Sequence, residues 1–289
     1  MLTATVVCRY LQSKPIVFGL HTHSFLESVK NQLQRHRFIS IYAKMANTTD
    51  DAKEQSSRPY TVDIGGMRIR YKEKSETFTE DHLVSKEPFG QFKAWFEIAC
   101  ETPGIGEANA MFLATATKDG MPSCRPVLLK GFGTDGFKFY TNYGSRKARE
   151  LEENPNAALT LFWEPLRRTV RIEGTVEKTS SEDSDNYFNS RPYHGQVGSL
   201  SSRQSTVIPN RDFLIEKEKE LQKLYPDTVK RPDWWGGYIV KPKSVEFWQG
   251  QSDRLHDRIK FRRQLPGEIV DNVLVHEGVD GWVYERLSP

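Results

Sequence analysis

A chain of 289 residues can bury a sizeable core, and 37% hydrophobic with 27% charged residues is the composition of a water-soluble fold. No run approaches the roughly 18 apolar residues of a spanning helix, which excludes an integral helical membrane protein. The formal charge of +3 is unevenly placed: residues 1–44 hold six Lys/Arg against one acid, Glu27, and the remaining 35 basic and 37 acidic residues nearly cancel, so no nucleic-acid face is expected.

Residues 1–44 are basic, contain Ser and Arg and are almost free of acids, a composition that resembles a mitochondrial transit peptide. Met45 then opens MANTTDDAKEQSSRP, a polar stretch of disordered composition, and a second start there would give a cytosolic form. The expected organisation is a targeting-like, disordered segment over 1–59 and one domain over 60–289. Cytoplasmic residence is expected, with a mitochondrial form carrying the basic segment. Cys8, Cys100 and Cys124 form no CxxC pair, which argues against a disulfide framework or zinc site; His21 and His23 fall in the segment least suited to fold, so no metal is expected.

PFGQFKAWFEIAC (88–100) carries Phe89, Phe92, Trp95, Phe96 and Ile98 at helical spacing and predicts an amphipathic helix. Residues 110–143 read as strand, turn, strand, turn, strand, with Asp119-Gly120 and Asp135-Gly136 at the turns. GFGTDG (131–136) matches the dinucleotide fingerprint in letters only. That fingerprint needs a helix after its last glycine, whereas the alternating FKFYTNY that follows is a strand.

SRKARELEENP (145–155) predicts a short helix started by Ser145, with Arg146 and Lys147 in its first turn. Cations there oppose the helix dipole, at a cost of about 0.3–1 kcal/mol each where exposed. A phosphate at that end reverses the argument, and Arg125 could join it from the preceding hairpin; a tolerated surface pair explains the feature equally well. AALTLFW and TVRIEGTVEKT follow as strands, the second with Val170, Ile172, Gly174 and Val176 on one face. SSEDSDNYFNSRP (180–192) predicts a helix that sets Tyr187 and Arg191 on one face, a pair that suits a phosphate monoester but is also an ordinary surface contact. After a polar loop, DFLIEKEKELQKLYP is a charged surface helix.

GGYIVKP, SVEFWQG, RLHDRIKFRR and GWVYERL return to strands. Alternation through the third puts Arg254, His256, Arg258, Lys260 and Arg262 on one face and Leu255, Ile259 and Phe261 on the other, with Asp257 in need of a partner. A basic row of this kind is usually solvated; beside Trp248 it also fits a flat anionic ligand. Strands outnumber helices and are joined by tight turns, so the fold expected is α+β, an antiparallel sheet closed into a barrel with helices around it.

From about Met67 to Pro289 the chain resembles the pyridoxamine (pyridoxine) 5′-phosphate oxidase family, through IGEANAMFLAT, RPVLLKGFG, FYTNYGSRK, YFNSRP, RQSTVIP, WWGGY, EFWQGQSDRLHDR and YERLSP. The resemblance implies a split β-barrel homodimer with FMN at the subunit interface, oxidising phosphorylated B6 vitamers to pyridoxal 5′-phosphate with release of hydrogen peroxide. It assigns the FMN phosphate to Arg125, Arg146 and Lys147, and the rest of the flavin site to Val127, Leu128, Tyr140, Thr141, Gln204, Ser205, Trp248 and Arg258. The substrate phosphate falls to Lys130, Tyr187 and Arg191. Arg254 and His256, with Leu255 between them, hold the substrate ring as the catalytic pair, and Arg68 and Tyr71 belong to a segment folding over the occupied site. Two positions depart from the pattern: Thr169 replaces a flavin-contacting Gln, and Gly195 replaces a phosphate-binding Ser, for which His194 is a candidate substitute. These departures motivate the alternative of a flavin or pyridoxal-phosphate binding protein without oxidase activity; a nicotinamide-dependent flavin reductase has no dinucleotide signal to support it.

Overall fold

Hairpins of alternating apolar residues build most of the molecule, seen here in a computed structural model that describes residues 64–67 and 69–289. The targeting reading, the His21–His23 pair, Cys8 and Arg68 lie outside the described residues. The chain divides into Met1–Arg68 and Ile69–Pro289, and the second unit is the folded body considered below. Among the described residues no helix is long and apolar enough to cross a membrane.

Ten strands form one antiparallel sheet: β1 Ala110–Ala116, β2 Pro122–Leu128, β3 Gly131–Gly133, β4 Gly136–Asn142, β5 Asn156–Trp163, β6 Arg168–Lys178, β7 Trp235–Gln249, β8 Asp257–Arg263, β9 His276–Glu277 and β10 Trp282–Arg286. The order is β2-β1-β5-β6-β7-β8-β10-β9, with β4 also on β7 and β3 on β4. The segments GGYIVKP and SVEFWQG, expected as two strands, are the single strand β7. Its first half, Trp235–Val240, pairs with β4 and its second, Ser244–Gln249, with β8, while β6 runs beside both. Between the halves lies Pro242, which has no N–H to give the ladder, opposite a register shift at Glu173/Gly174. β2 comes back against β4, so β2, β1, β5, β6, β7 and β4 form a split barrel.

GFGTDG is a hairpin, as expected, but its turn is Thr134-Asp135 rather than Asp135-Gly136: β3 pairs with β4, Gly133 stands opposite Gly136, and Gly136 has φ +137°, with the Val240 carbonyl where a side chain would stand. Inside the barrel Leu113, Leu159, Ile172, Phe137, Phe139, Val240 and Phe247 are fully buried. Helix α1, Pro88–Glu101, lays Phe89, Phe92, Trp95 and Ala99 on this core, and Glu87 caps it by accepting from the amides of Phe89 (2.7 Å) and Gly90 (2.5 Å). Ile98, expected on that face, is 44% exposed, because the buried stripe runs through 92, 95 and 99.

Helix α2 spans Arg146–Glu153, α3 Ser181–Ser190, α4 Tyr193–Ser201 and α5 Asp212–Leu224. The charged surface helix is as expected, with no buried residue in α5. Helix α4 was expected as part of a polar loop. Gly195 and Gly198 hide it, since both lower helix propensity. It is held by buried Val197 and by the Pro192 carbonyl, which accepts from the amides of Gly195 and Gln196. Arg191 lies just past α3 in extended conformation, so the expected shared helix face with Tyr187 is not formed by helical spacing.

Candidate active site

The first turn of α2 gathers the residues expected to hold an anion. Ser145 caps the helix by accepting from the Ala148 amide. Lys147, only 7% exposed, donates through Nζ to Gln204 Oε1 (2.8 Å), Thr141 Oγ1 (3.1 Å) and Ser145 Oγ (3.4 Å). All three acceptors are neutral. Burial, and secondly the Arg125 guanidinium, push this ammonium down to about 8. Ser205, at φ +72°, brings its hydroxyl to the Arg146 amide (3.2 Å). A second feature was not foreseen: Glu150, 3% exposed, binds both neighbouring arginines, Arg146 Nε at 2.8 Å and Arg125 Nη2 at 3.3 Å. Burial acts against its charge, but the Ser123 and Thr115 hydroxyls and Arg146 outweigh it and hold the carboxyl down at about 2. Arg125 and Arg146 thus share one carboxylate, whereas Lys147 has none among the described residues.

Lys147 opens into a cavity of about 470 Å³ between β2, β4 and α3–α4. Val127, Leu128, Lys130, Tyr140, Thr141, Tyr187, Arg191 and Gln204, all expected at the site, line it, together with Ser199 and Trp235, which the sequence reading missed. Tyr187 stacks on Tyr140 (centroids 4.0 Å) and lies parallel to Trp235 at 6.1 Å. Lys130 Nζ stands 5.9 Å from the Tyr187 ring and the Arg191 guanidinium 5.0 Å from that of Trp235. The Tyr140 hydroxyl donates to Asp183 (2.9 Å); burial first, then this carboxylate, raises its pKa. No carboxylate lines the cavity, so its three cations face a space that suits an anion.

The remaining expected residues form a second cluster at the far end of β7. Trp248, His256 and Tyr71 are in mutual ring contact, with centroids 4.9–6.2 Å apart. The strand here is shorter than the alternation of RLHDRIKFRR predicts. β8 begins only at Asp257; Arg254, with φ +72°, ends a turn from Gln251, and His256 lies in the irregular chain between that turn and the strand. Leu255, expected on the apolar face, is 67% exposed. The part of the basic row that lies in β8 is matched by carboxylates: Arg258 pairs with Glu246 (2.7 Å), Lys260 with Glu285 (3.7 Å), and Arg262 with Glu285 (3.0 Å) and with Glu268 of the following loop (2.5 Å). Asp257 is buried and bonded, as its position required. His256 Nδ1 accepts from the Gln251 amide (3.0 Å), and burial, then Arg254, lowers the ring's pKa. A neutral ring that accepts at Nδ1 carries its proton on Nε2.

Trp235 in the cavity and Trp248 in the second cluster sit thirteen residues apart on one strand, about 40 Å of extended chain. None of Tyr71, Trp248, Arg254 and His256 lines the cavity, so within one protomer the two clusters are separate.

The family description "Pyridoxamine 5'-phosphate oxidase" matches residues 101–224, and "Pyridoxine 5'-phosphate oxidase C-terminal dimerisation region" matches 235–289. The pyridoxine/pyridoxamine 5′-phosphate oxidase of Bombyx mori is 61% identical over 80% of this chain and 91% of its own length. The chain belongs to the pyridoxamine 5′-phosphate oxidase family. The pyridoxine-5′-phosphate oxidase of Bos taurus is 54% identical over 81% of this chain and 90% of its own. Among solved structures, PhzG from Burkholderia lata 383 in complex with tetrahydrophenazine-1-carboxylic acid aligns with a TM-score of 0.64 at 29% identity, over 73% of this chain and 97% of its own.

Within this oxidase family the two departures acquire a setting. Thr169 pairs with Trp248 across the ladder and lines a shallow groove with Phe162, Arg171 and Glu246. Gly195 lines the cavity, where a Cβ would meet Arg191 Nη2 at 3.4 Å, an ordinary contact. His194, the candidate substitute, is exposed and does not line it. A hydroxyl that lines it beside Arg191 is Ser199, which accepts from Arg191 Nη1 (2.5 Å).

Proposed function

We propose that this chain oxidises pyridoxine 5′-phosphate and pyridoxamine 5′-phosphate to pyridoxal 5′-phosphate, as an FMN-dependent homodimer whose sites are shared between subunits. Pyridoxine phosphate and O2 give pyridoxal phosphate and H2O2; the amine also consumes water and releases ammonia. The observation that carries the reading is the buried Lys147 ammonium with only neutral acceptors, at the mouth of a helix and in a cavity lined by no carboxylate. A buried cation without a counter-charge is costly, and a phosphate there removes the cost. The residues therefore fit FMN. When bound, FMN supplies the acceptor for the hydride leaving the substrate's 4′ carbon and passes the electron pair to oxygen.

The protein's own residues bind and orient. Lys147, Thr141, Gln204 and Ser205, backed by Arg125 and Arg146 on Glu150, make the flavin-phosphate end. Lys130, Tyr187, Arg191 and Ser199 make the substrate-phosphate end, where the Arg191 fork offers paired donors. Val127, Leu128 and Tyr140 line the space between. The partner subunit contributes the second cluster: Arg254 and His256 hold the substrate ring, the neutral imidazole donating from Nε2, while Trp248 and Arg258 border the flavin and Tyr71 covers them. The placement of the clusters at opposite ends of β7 supports division between two subunits, and so does the dimerisation region matched over 235–289. Near-attack placement of the two rings is the main contribution to rate.

The test is purification, a flavin spectrum, and addition of pyridoxine 5′-phosphate in air. Pyridoxal phosphate and peroxide in equal amounts are expected. Bound flavin with neither product favours a carrier, and bleaching by a reduced nicotinamide favours a reductase.

A further inference from the structure

The loop that carries Arg254 and His256 is held by a network that spans three distant parts of the chain. Its centre is Asp257, 7% exposed. Oδ2 accepts from the Phe78 amide (2.9 Å) and from Gln251 Nε2 (2.8 Å), and Oδ1 from Arg286 Nη1 (3.1 Å). Arg286 also donates to the Phe78 carbonyl (3.0 Å) and with two nitrogens to Glu80 (2.9 Å each). Gln251, 3% exposed, donates through Nε2 to the Glu76 carbonyl as well (3.2 Å). Its backbone pairs with Lys72, and the Tyr71 amide donates to Ser252 Oγ (3.0 Å). The chain from 71 to 80, the loop 251–256 and the end of β10 are thereby tied to one carboxylate.

Gln251 has two roles in this arrangement. Its side chain is fixed by Asp257 and Glu76, and its backbone N–H is the donor that His256 Nδ1 accepts. Its carbonyl also accepts from the Arg254 amide (3.3 Å), closing the turn in which Arg254 takes φ +72°. A β-carbon residue in that conformation is held by its surroundings. The surroundings here are the Gln251 anchor.

We infer that Asp257, acting through Gln251, is a positioning residue that fixes the Nε2–H form of His256 and the turn that presents Arg254. This rests on the proposed oxidase reading, in which those two side chains hold the substrate ring. The amide orientation of Gln251 follows from the same geometry: with Nε2 toward a carboxylate and a carbonyl, both contacts are donor to acceptor, and the flipped amide would set three acceptors together. Replacing the carboxylate by an amide of the same shape breaks that match while leaving volume unchanged.

The test uses the full-length, flavin-loaded protein with ¹⁵N-labelled histidine, in wild type, Asp257→Asn and Gln251→Ala. His256 is assigned from a His256→Gln sample, and its nitrogen shifts report the tautomer without reference to turnover. Expected is a single Nε2–H form in wild type and a mixture of tautomers in both variants, with flavin content unchanged. Turnover should fall about tenfold or more, while KM, carried by Lys130, Tyr187 and Arg191, moves much less. If Asp257→Asn fails to fold, Gln251→Ala decides, since Asp257 keeps two of its donors there. A single Nε2–H form with wild-type kcat in the folded variants overturns the inference, as does lower thermal stability with unchanged turnover per bound flavin. A wild-type protein that binds flavin but makes no pyridoxal phosphate defeats the oxidase reading instead, and the tautomer measurement still judges the clamp.

Discussion

Lys147 shows what one residue's surroundings can say about a ligand. Its folded pKa of about 8 lies below the ordinary 10.5 because burial, then Arg125, disfavours the charge. Between those values the unfolded chain holds a proton that the folded one lacks, so the flavin-free protein gains stability as pH rises from about 8 to 10.5. Anion binding runs the other way, because it needs the ammonium. FMN affinity, followed by quenching of flavin fluorescence, should therefore fall as pH passes about 8, and Lys147→Met should abolish that dependence. Losing a charge-assisted bond of about 1.5–3 kcal/mol should weaken FMN roughly ten- to hundredfold at pH 7, with riboflavin, which has no phosphate, little affected. Equal losses for both ligands would refute a phosphate role. Ser145, Arg146 and Lys147 stood out in the sequence because a helix start draws donors to one point, whereas Thr141, Gln204 and Ser205 were reached only through the family resemblance. Glu150 did not stand out, since only the folded sheet brings the Ser123 and Thr115 hydroxyls to its carboxylate. Gly195 offers a second residue-scale prediction: Gly195→Ser fits beside Arg191 without collision, and one added hydrogen bond of about 0.5–1.5 kcal/mol should lower KM for pyridoxine 5′-phosphate several-fold. An unchanged or raised KM would mean that Ser199 already completes that end.

At the scale of elements, alternation located the strands, and tertiary pairing decided how they join. GGYIVKP and SVEFWQG read as two strands because Pro242 and the lysines around it break the apolar pattern, yet β6 spans the gap and makes them one. The reverse error occurred at RLHDR, where alternation ran on through residues that the Gln251–Arg254 turn removes from the strand. Periodicity records which residues share a face if a strand exists; it carries no record of where buried hydrogen bonds stop the strand. Gly174 is the residue on which the register shift opposite Pro242 depends, for a Cβ there would collide with the Lys241 carbonyl. Gly174→Ala should cost about 1–3 kcal/mol as overpacking, read as a lower midpoint in urea. Because β7 carries Trp235 at one end and Trp248 at the other, the same change should also lower turnover per bound flavin. A stable variant with normal turnover would show that the two halves of β7 adjust independently.

For the whole molecule, the proposed division of the site between two subunits has a consequence that a single protomer cannot mimic. If each site takes Lys147 and the cavity from one subunit and Arg254 and His256 from the other, then Lys147→Met and Arg254→Ala injure different halves of every site. Each homodimer has two damaged sites and should be nearly inactive at low FMN. A mixed dimer has one site with both injuries and one with none. Random pairing of co-expressed chains makes half the dimers mixed, so about a quarter of wild-type activity should return, by the symmetry of an isologous pair. The measurement is peroxide release per total protein, with differently tagged chains so that mixed dimers can be isolated and assayed alone, where half of wild-type activity is expected. The alternative geometry, one complete site per protomer, predicts that a mixed dimer performs no better than the average of its parents, because each chain would keep its own injury. The placement of the clusters at opposite ends of β7 argues for recovery, and its absence in isolated mixed dimers would return both clusters to a single chain.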